Sequence, residues 1–113
     1  MRQIIVVGGG AAGMMSAIFA ARNGCSVILL EKNEKCGKKL YITGKGRCNV
    51  TNASDVENLL KHVPTNRKFL YSAFYSFDSY QTMAFFFSFF LPLKVERGAR
   101  FFPVSDKSYD VIQ

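Results

Sequence analysis

At 113 residues the chain has the length of one compact core, since single domains commonly run to about 100–150 residues, and a composition 49% hydrophobic and 20% charged excludes disorder as its general state. A formal net charge of +7 calls for an anionic partner, which nucleic acid, a membrane surface or a phosphate-bearing small molecule would each provide. Three cysteines without a CxxC pair, and His62 as the only histidine, exclude a disulfide framework and a metal site and fit a reducing, cytoplasmic compartment.

Ile4 to Val7 is a short β-branched run without alternation, the pattern of a parallel strand buried on both faces. Gly8, Gly9 and Gly10 end it, at a point where a secretory signal would remain apolar, so no signal peptide is read here. From Ala11 to Asn23 the residues Ala12, Met15, Ile18 and Phe19 recur at helical spacing, with Gly24 placed to close the helix. Ser26 to Leu30 is a second strand, so the chain opens with a βαβ unit.

Between Lys32 and Asn52 no period persists apart from a short strand or turn at Leu40 to Thr43, which makes this a long loop of functional character. It carries Lys32, Lys35, Lys38, Lys39, Lys45 and Arg47 against only Glu31 and Glu34. Because Gly37, Gly44 and Gly46 are interleaved with these cations, the loop reads as phosphate-facing.

Ser54 and Glu57 are spaced as a capping box for a helix carrying Leu59 and Leu60 and stopped by Pro64. A second helix is expected from about Asn66 to Phe77, burying Phe69, Leu70, Ala73 and Phe74, and a third from Tyr80 to Phe90, whose phenylalanines from Phe85 onward pack the core. The apolar run from Met83 to Leu93 is too short to span a bilayer, which takes about 20 residues. Leu93–Arg97 and Arg100–Val104 flank Gly98-Ala99 as a β-hairpin, and Ser105 and Asp106 stand as caps for a last helix containing Val111 and Ile112. The class is α/β: the N-terminal part of a Rossmann-like domain, with a βαβ unit, a glycine- and lysine-rich loop, helices and a hairpin.

The strongest motif is Gly8-Gly9-Gly10-Ala11-Ala12-Gly13, which follows a strand and opens a helix. In a dinucleotide-binding turn Gly8 makes the bend, Gly10 lets backbone approach a pyrophosphate, and Gly13 permits close helix–strand contact. Ala11 and Ala12 lie in the first helical turn, whose free N–H groups and dipole receive the phosphates. Glu31, at the end of the second strand and followed by Lys32, is placed for the ribose hydroxyls and disfavours a 2′-phosphate. Those features bind the ADP portion of NAD and of FAD alike.

The segment from Gly37 to Asn52, GKKLYITGKGRCNVTN, then resembles the aminoacetone-oxidase-type, or BaiN-like, NAD(P)/FAD-dependent flavoproteins. Their pattern is GGGxAG, a strand-end Glu-Lys, GKK or GRK, and Ser or Thr followed by GxGRCNxTN. LKVERG from Leu93 and FPVSDKS from Phe102 are similar to the same family's later motifs, so the resemblance spans nearly the whole chain. It implies FAD as cofactor, with Lys39, Gly44, Gly46, Arg47 and Asn49 along the pyrophosphate and ring and NAD(P)H available as electron donor. Residue chemistry agrees in kind: Lys39 and Arg47 can offset pyrophosphate charge, and Thr43 or Asn49 can hydrogen-bond a flavin edge. Cys48 reads as a packed thiol near the cofactor, with a thiolate beside Arg47 as the other reading.

Phe90 and Phe87 depart from the family, which usually has a glycine and a polar residue there. Family members are several times longer, with an inserted domain and a C-terminal return segment, so residues 1–113 are expected to form a partial domain. No catalytic residue stands out, and the substrate is not identified. Two other readings stay open: an NAD-binding module without flavin, and a basic nucleic-acid-binding module or RNA-associated flavoprotein. Nucleic acid is not the expected partner, because the aromatic residues are not interleaved with the basic ones for base stacking.

Overall fold

The computed structural model describes residues 1–113. Strands β1 (Gln3–Val7) and β2 (Ser26–Leu30) pair in parallel, from Gln3 opposite Ser26 to Val7 opposite Leu30, and helix α1 (Ala11–Arg22) connects them. That helix ends in a Schellman turn: Gly24 N–H donates to Ala21 O and Cys25 N–H to Ala20 O, with Gly24 at φ +82° as its position required.

The two strands are not buried on both faces as expected. Ile4, Val6, Val27 and Leu29 are half-buried, whereas Ile5, Val7, Ile28 and Leu30 are exposed, Val7 to 82%. Side chains alternate across a strand, and a single helical layer covers only one face of a two-stranded sheet.

The segment after β2 holds more regular structure than its sequence suggested. Where a strand or turn was expected at Leu40 to Thr43, the chain forms helix α2 (Lys38–Ile42) and a 3-10 turn over Thr43–Gly46. Five residues are too few to display a helical period. A two-residue strand, β3 (Thr51–Asn52), follows.

Helix α3 (Val56–Lys61) is capped by Asp55, whose carboxylate accepts the Asn58 N–H at 2.8 Å, so the cap lies one residue beyond the expected Ser54–Glu57 pair. Ser54 instead bonds the Asn52 side chain and accepts from Asn58 Nδ2. The expected helix from Asn66 to Phe77 is divided into a 3-10 turn at Arg67–Leu70 and α4 (Tyr71–Ser76). Leu70 and Phe74 are half-buried as expected, but Ala73 is exposed and Phe69 lies 85% exposed.

Helix α5 (Ser79–Ser88) starts from a complete capping box in which Asp78 and Gln81 bond each other's backbone. Of the phenylalanines from Phe85 onward only Phe85 is buried and Phe86 half-buried; Phe89 rests its ring on Phe85 but stays exposed, and Phe87 and Phe90 are exposed, contrary to the expectation of a packed cluster. A helix presents about one stripe to a core, here centred on Phe85 and Phe86, and Phe87 falls outside it.

Strands β4 (Leu93–Glu96) and β5 (Arg100–Pro103) form the expected hairpin, and β3 joins the other edge of β5. As the central strand of the three, β5 buries Phe101, Phe102 and Pro103 and anchors the core. Helix α6 (Ser108–Ile112) closes the chain without a side-chain cap. Neither Ser105 nor Asp106 caps it, because the Asp106 carboxylate is engaged by Arg47 and Lys94.

Candidate functional site

The glycine turn between β1 and α1 contains two kinds of glycine. Gly8 sits at φ +102°, a region closed to ordinary side chains, and a Cβ on Gly13 would fall 1.8 Å from Gly8 O. Both are demanded by the chain's own geometry. Gly9 is buried, its N–H donating to Glu31 Oε1 at 2.9 Å and its Cα facing Cys36, whose Sγ would lie 2.6 Å from an added Cβ. Gly10 differs: its backbone is extended at φ −82°, and an added Cβ would meet nothing within 4 Å.

Nothing within the chain therefore requires glycine at position 10. The space it leaves open lies at the start of α1, where no side chain caps the helix and no acidic residue occupies the first turn. Ala11 and Ala12 are exposed there. Free N–H groups, a positive dipole end and an unshielded backbone together form a cradle for an anionic group that must approach main chain closely. A diphosphate fits that donor set.

Glu31 directly follows β2 beside this turn. Its Oε2 accepts the Asn33 N–H at 2.7 Å and its Oε1 the Gly9 N–H, and these two backbone bonds, Asn33 first, hold its carboxyl below the usual carboxylate range. The group is thus an ionised acceptor. Each oxygen retains a lone pair for a ribose hydroxyl, while its charge repels a further phosphate. The Gly9 N–H also ties the acid to the glycine turn, so the two halves of the motif are coupled by a direct bond. Cys36 and Gly37 complete this corner, Gly37 N–H donating to Gly9 O at 2.8 Å. No spacing rule pointed to Cys36.

The residues expected along the pyrophosphate and ring are distributed unevenly. Lys32 and Lys39 are exposed cations, and Gly46 is exposed. Thr43 Oγ1 donates to Leu40 O. Gly44 packs against Asn49, whose N an added Cβ would approach to 2.7 Å. With its amide turned to suit its neighbours, Asn49 donates to Phe101 O and Thr51 O, which leaves its carbonyl oxygen as the free acceptor. Cys48 is 1% exposed, and burial pushes its thiol above the ordinary value, which favours a packed thiol over a thiolate.

Arg47 is paired within the chain. Its guanidinium donates from Nε and Nη2 to Asp106 Oδ1 at 2.8 and 2.6 Å and from Nη2 to Glu96, and it lies 4.1 Å from the Phe102 ring centre. Two carboxylates already balance its charge, and they hold its pKa above the ordinary value, Glu96 first. It is therefore not placed as a free counter-charge for pyrophosphate.

A largely apolar cavity of about 240 Å³ lies beside α1, with Ala11, Met14 and Met15 on one side, Cys48-Asn49-Val50 on another, and Phe85 and Phe86 of α5 and Val111 and Ile112 of α6 completing its lining. The structure thus brings the glycine turn and Glu31 to one end of α1, with Cys48 and Asn49 across a cavity from its first turns. No group of three or more His, Cys, Asp or Glu side chains is placed to hold a metal ion, and no helix is long and apolar enough to cross a membrane.

The HI0933-like protein Rossmann domain family matches residues 2–113. The chain belongs to that family. Membership agrees with the resemblance carried by the GRCNVTN and SDKS motifs, and makes the cradle at α1 part of a dinucleotide-binding Rossmann domain in a family of oxidoreductases. Among curated relatives, the 3-dehydro-bile acid delta(4,6)-reductase of Clostridium scindens is 38% identical over 116 residues, covering 100% of this chain and 27% of that protein. The ribosomal RNA dihydrouridine synthase of Escherichia coli is 44% identical over 48 residues, 42% of this chain and 12% of that enzyme. An NADH oxidase of Thermoanaerobacter brockii is 51% identical over 41 residues, 36% of this chain and 6% of the oxidase. The chain therefore spans about a quarter of the length of the relative that it matches from end to end.

Proposed function

We propose that this chain is the FAD-binding portion of a flavin-dependent oxidoreductase, with the pyrophosphate on the first turn of α1 and the adenosine ribose on Glu31. The observation that carries the reading is Gly10, a glycine that the fold does not need, at the open end of an uncapped helix beside an ionised acceptor. Lys32 and Lys39 supply diffuse positive charge, and Asn49 offers a carbonyl acceptor across the cavity. When bound, the flavin carries the electrons; the residues of this chain orient it and exclude water from one side. An inserted domain and a C-terminal return segment would complete the site in the whole protein.

One relative is named a reductase of 3-dehydro-bile acids and another makes dihydrouridine in ribosomal RNA, which supports reductive electron flow, from NAD(P)H through flavin to substrate. A small molecule is the favoured substrate because the relative matching the full chain acts on one. Free cysteines at three separated positions suit a reducing cytoplasm.

The test is the colour of the purified chain together with two glycine variants. The chain should be yellow, with flavin released on denaturation. Gly10→Val should remain folded, at the melting temperature of the flavin-free wild-type chain, and lose the flavin, because an extended backbone accommodates valine while its methyl groups block the phosphates. A colourless wild-type chain that binds NAD, or a Gly10→Val protein that keeps its flavin, would overturn the assignment.

A further inference from the structure

Arg47 directly precedes Cys48-Asn49-Val50, which form one wall of the cavity beside α1, and its guanidinium is bound to carboxylates on and just after the hairpin. The partners lie 49 and 59 residues further along the chain, at Glu96 and Asp106. Lys94 completes a four-membered cluster, its Nζ 2.8 Å from Asp106 Oδ2 and 3.3 Å from Glu96 Oε2. Two cations and two anions balance within it. Beneath the guanidinium lies the buried Phe102 ring, which Gly44 also approaches, since an added Cβ would come within 3.1 Å of Phe102 Cε1. Immediately after Arg47, Cys48 adopts φ +60°, and Val50 N–H donates to Phe101 O at 2.8 Å. The segment is therefore fixed at one end by ion pairs and at the other by a strand hydrogen bond, with Cys48 and Asn49 between.

We propose that Arg47 is a positioning residue: through Glu96 and Asp106 it holds Cys48-Asn49-Val50 at a set distance from the first turns of α1, and so fixes the wall that faces the cofactor. The proposal rests on the FAD reading above. A planar fork with fixed N–H directions suits this task, since two of its nitrogens meet one oxygen of Asp106 while the ring below limits its tilt. Lysine has the charge but not the fork. The opposing possibility, that Arg47 neutralises the pyrophosphate directly, makes the reverse prediction for the loss of a carboxylate.

Asp106→Asn separates the two. Asparagine tolerates the left-handed backbone found at Asp106, φ +60°, so the substitution removes charge without backbone strain. If Arg47 positions the wall, Asp106→Asn and Arg47→Lys should each weaken FAD binding about tenfold, the factor that one charged hydrogen bond carries. The double variant should be no weaker than either single one. The Cys48 thiol, located by mass spectrometry, should also react with a thiol reagent about tenfold faster in both variants at unchanged circular dichroism, a readout that needs no cofactor. Glu96→Gln, which removes one partner and retains the other, serves if Asp106→Asn fails to fold, and should shift both readouts in the same direction. Tighter or unchanged FAD binding in Asp106→Asn would overturn the proposal, as would Cys48 labelling that does not change. Faster labelling in a protein whose wild type binds no flavin would instead refute the FAD reading, and with it the link to a cofactor.

Discussion

Phe90 occupies a helix-end position built for glycine, and its replacement isolates the cost of that mismatch. Helix α5 ends in a Schellman turn, with Leu91 N–H donating to Phe86 O and Phe90 N–H to Phe87 O, and Phe90 itself stands at φ +61°. A left-handed conformation costs an L-residue about 1–2 kcal/mol. Because the ring is 94% exposed, it recovers little of this by burial. Phe90→Gly removes the strain but adds freedom to the unfolded chain, a loss of about 0.5–1 kcal/mol. The balance is a gain of about 0.5–1 kcal/mol, equivalent to a rise of a few degrees in melting temperature for a chain of this size. Urea unfolding followed by circular dichroism should show a higher midpoint at unchanged slope. Phe90→Ala, which keeps the strained backbone and loses the same ring, should show no such gain. A glycine variant no more stable than the alanine variant would refute the reasoning.

Other outcomes are equally specific. Gly13→Ala should destabilise the fold by about 1–3 kcal/mol, because its Cβ would overlap backbone oxygen rather than a movable side chain, in contrast to Gly10→Val, whose Cβ meets nothing within the chain; calorimetry of the flavin-free wild type and the two flavin-free variants checks it. Glu31, Glu96 and Asp106 have folded pKa values below their ordinary 4.5, 4.5 and 3.8, so their contribution is complete above those values and is lost as pH falls through the lower, folded ones. Arg47 and Lys94 are raised above their ordinary values, so their contribution is complete below those values and is lost only as pH rises through the folded ones. Melting temperature against pH should therefore fall on the acid side, and Glu31→Gln/Glu96→Gln/Asp106→Asn should flatten that limb. Cys25 and Cys36, each half-buried, should react with a thiol reagent before the buried Cys48 does, which mass spectrometry of the labelled native protein would show.

The cofactor cradle was legible because its logic is local. A strand run, a glycine turn, a helical period and a closing glycine each draw on residues within one or two turns of one another, and Glu31 follows directly from the end of β2. The hairpin from Leu93 to Val104 was legible for the same reason. Phe90 showed itself as a departure from the family's glycine, and its backbone conformation supplies the cause. What stayed hidden depends on residues far apart in the chain. Gly9 is constrained by Cys36 and bonded by Glu31, the Cys48 thiol is pushed up by the residues that bury it, and Phe87 and Phe90 stay exposed while α5 packs through Phe85. Arg47 is the clearest case. Its residue type and its place in a glycine- and lysine-rich loop identify a cation that needs an anion, but a loop sequence carries no record of carboxylates on a distant hairpin. The local sequence determined that this chain builds a dinucleotide cradle; only the tertiary fold decided which of its charges remain free to meet one.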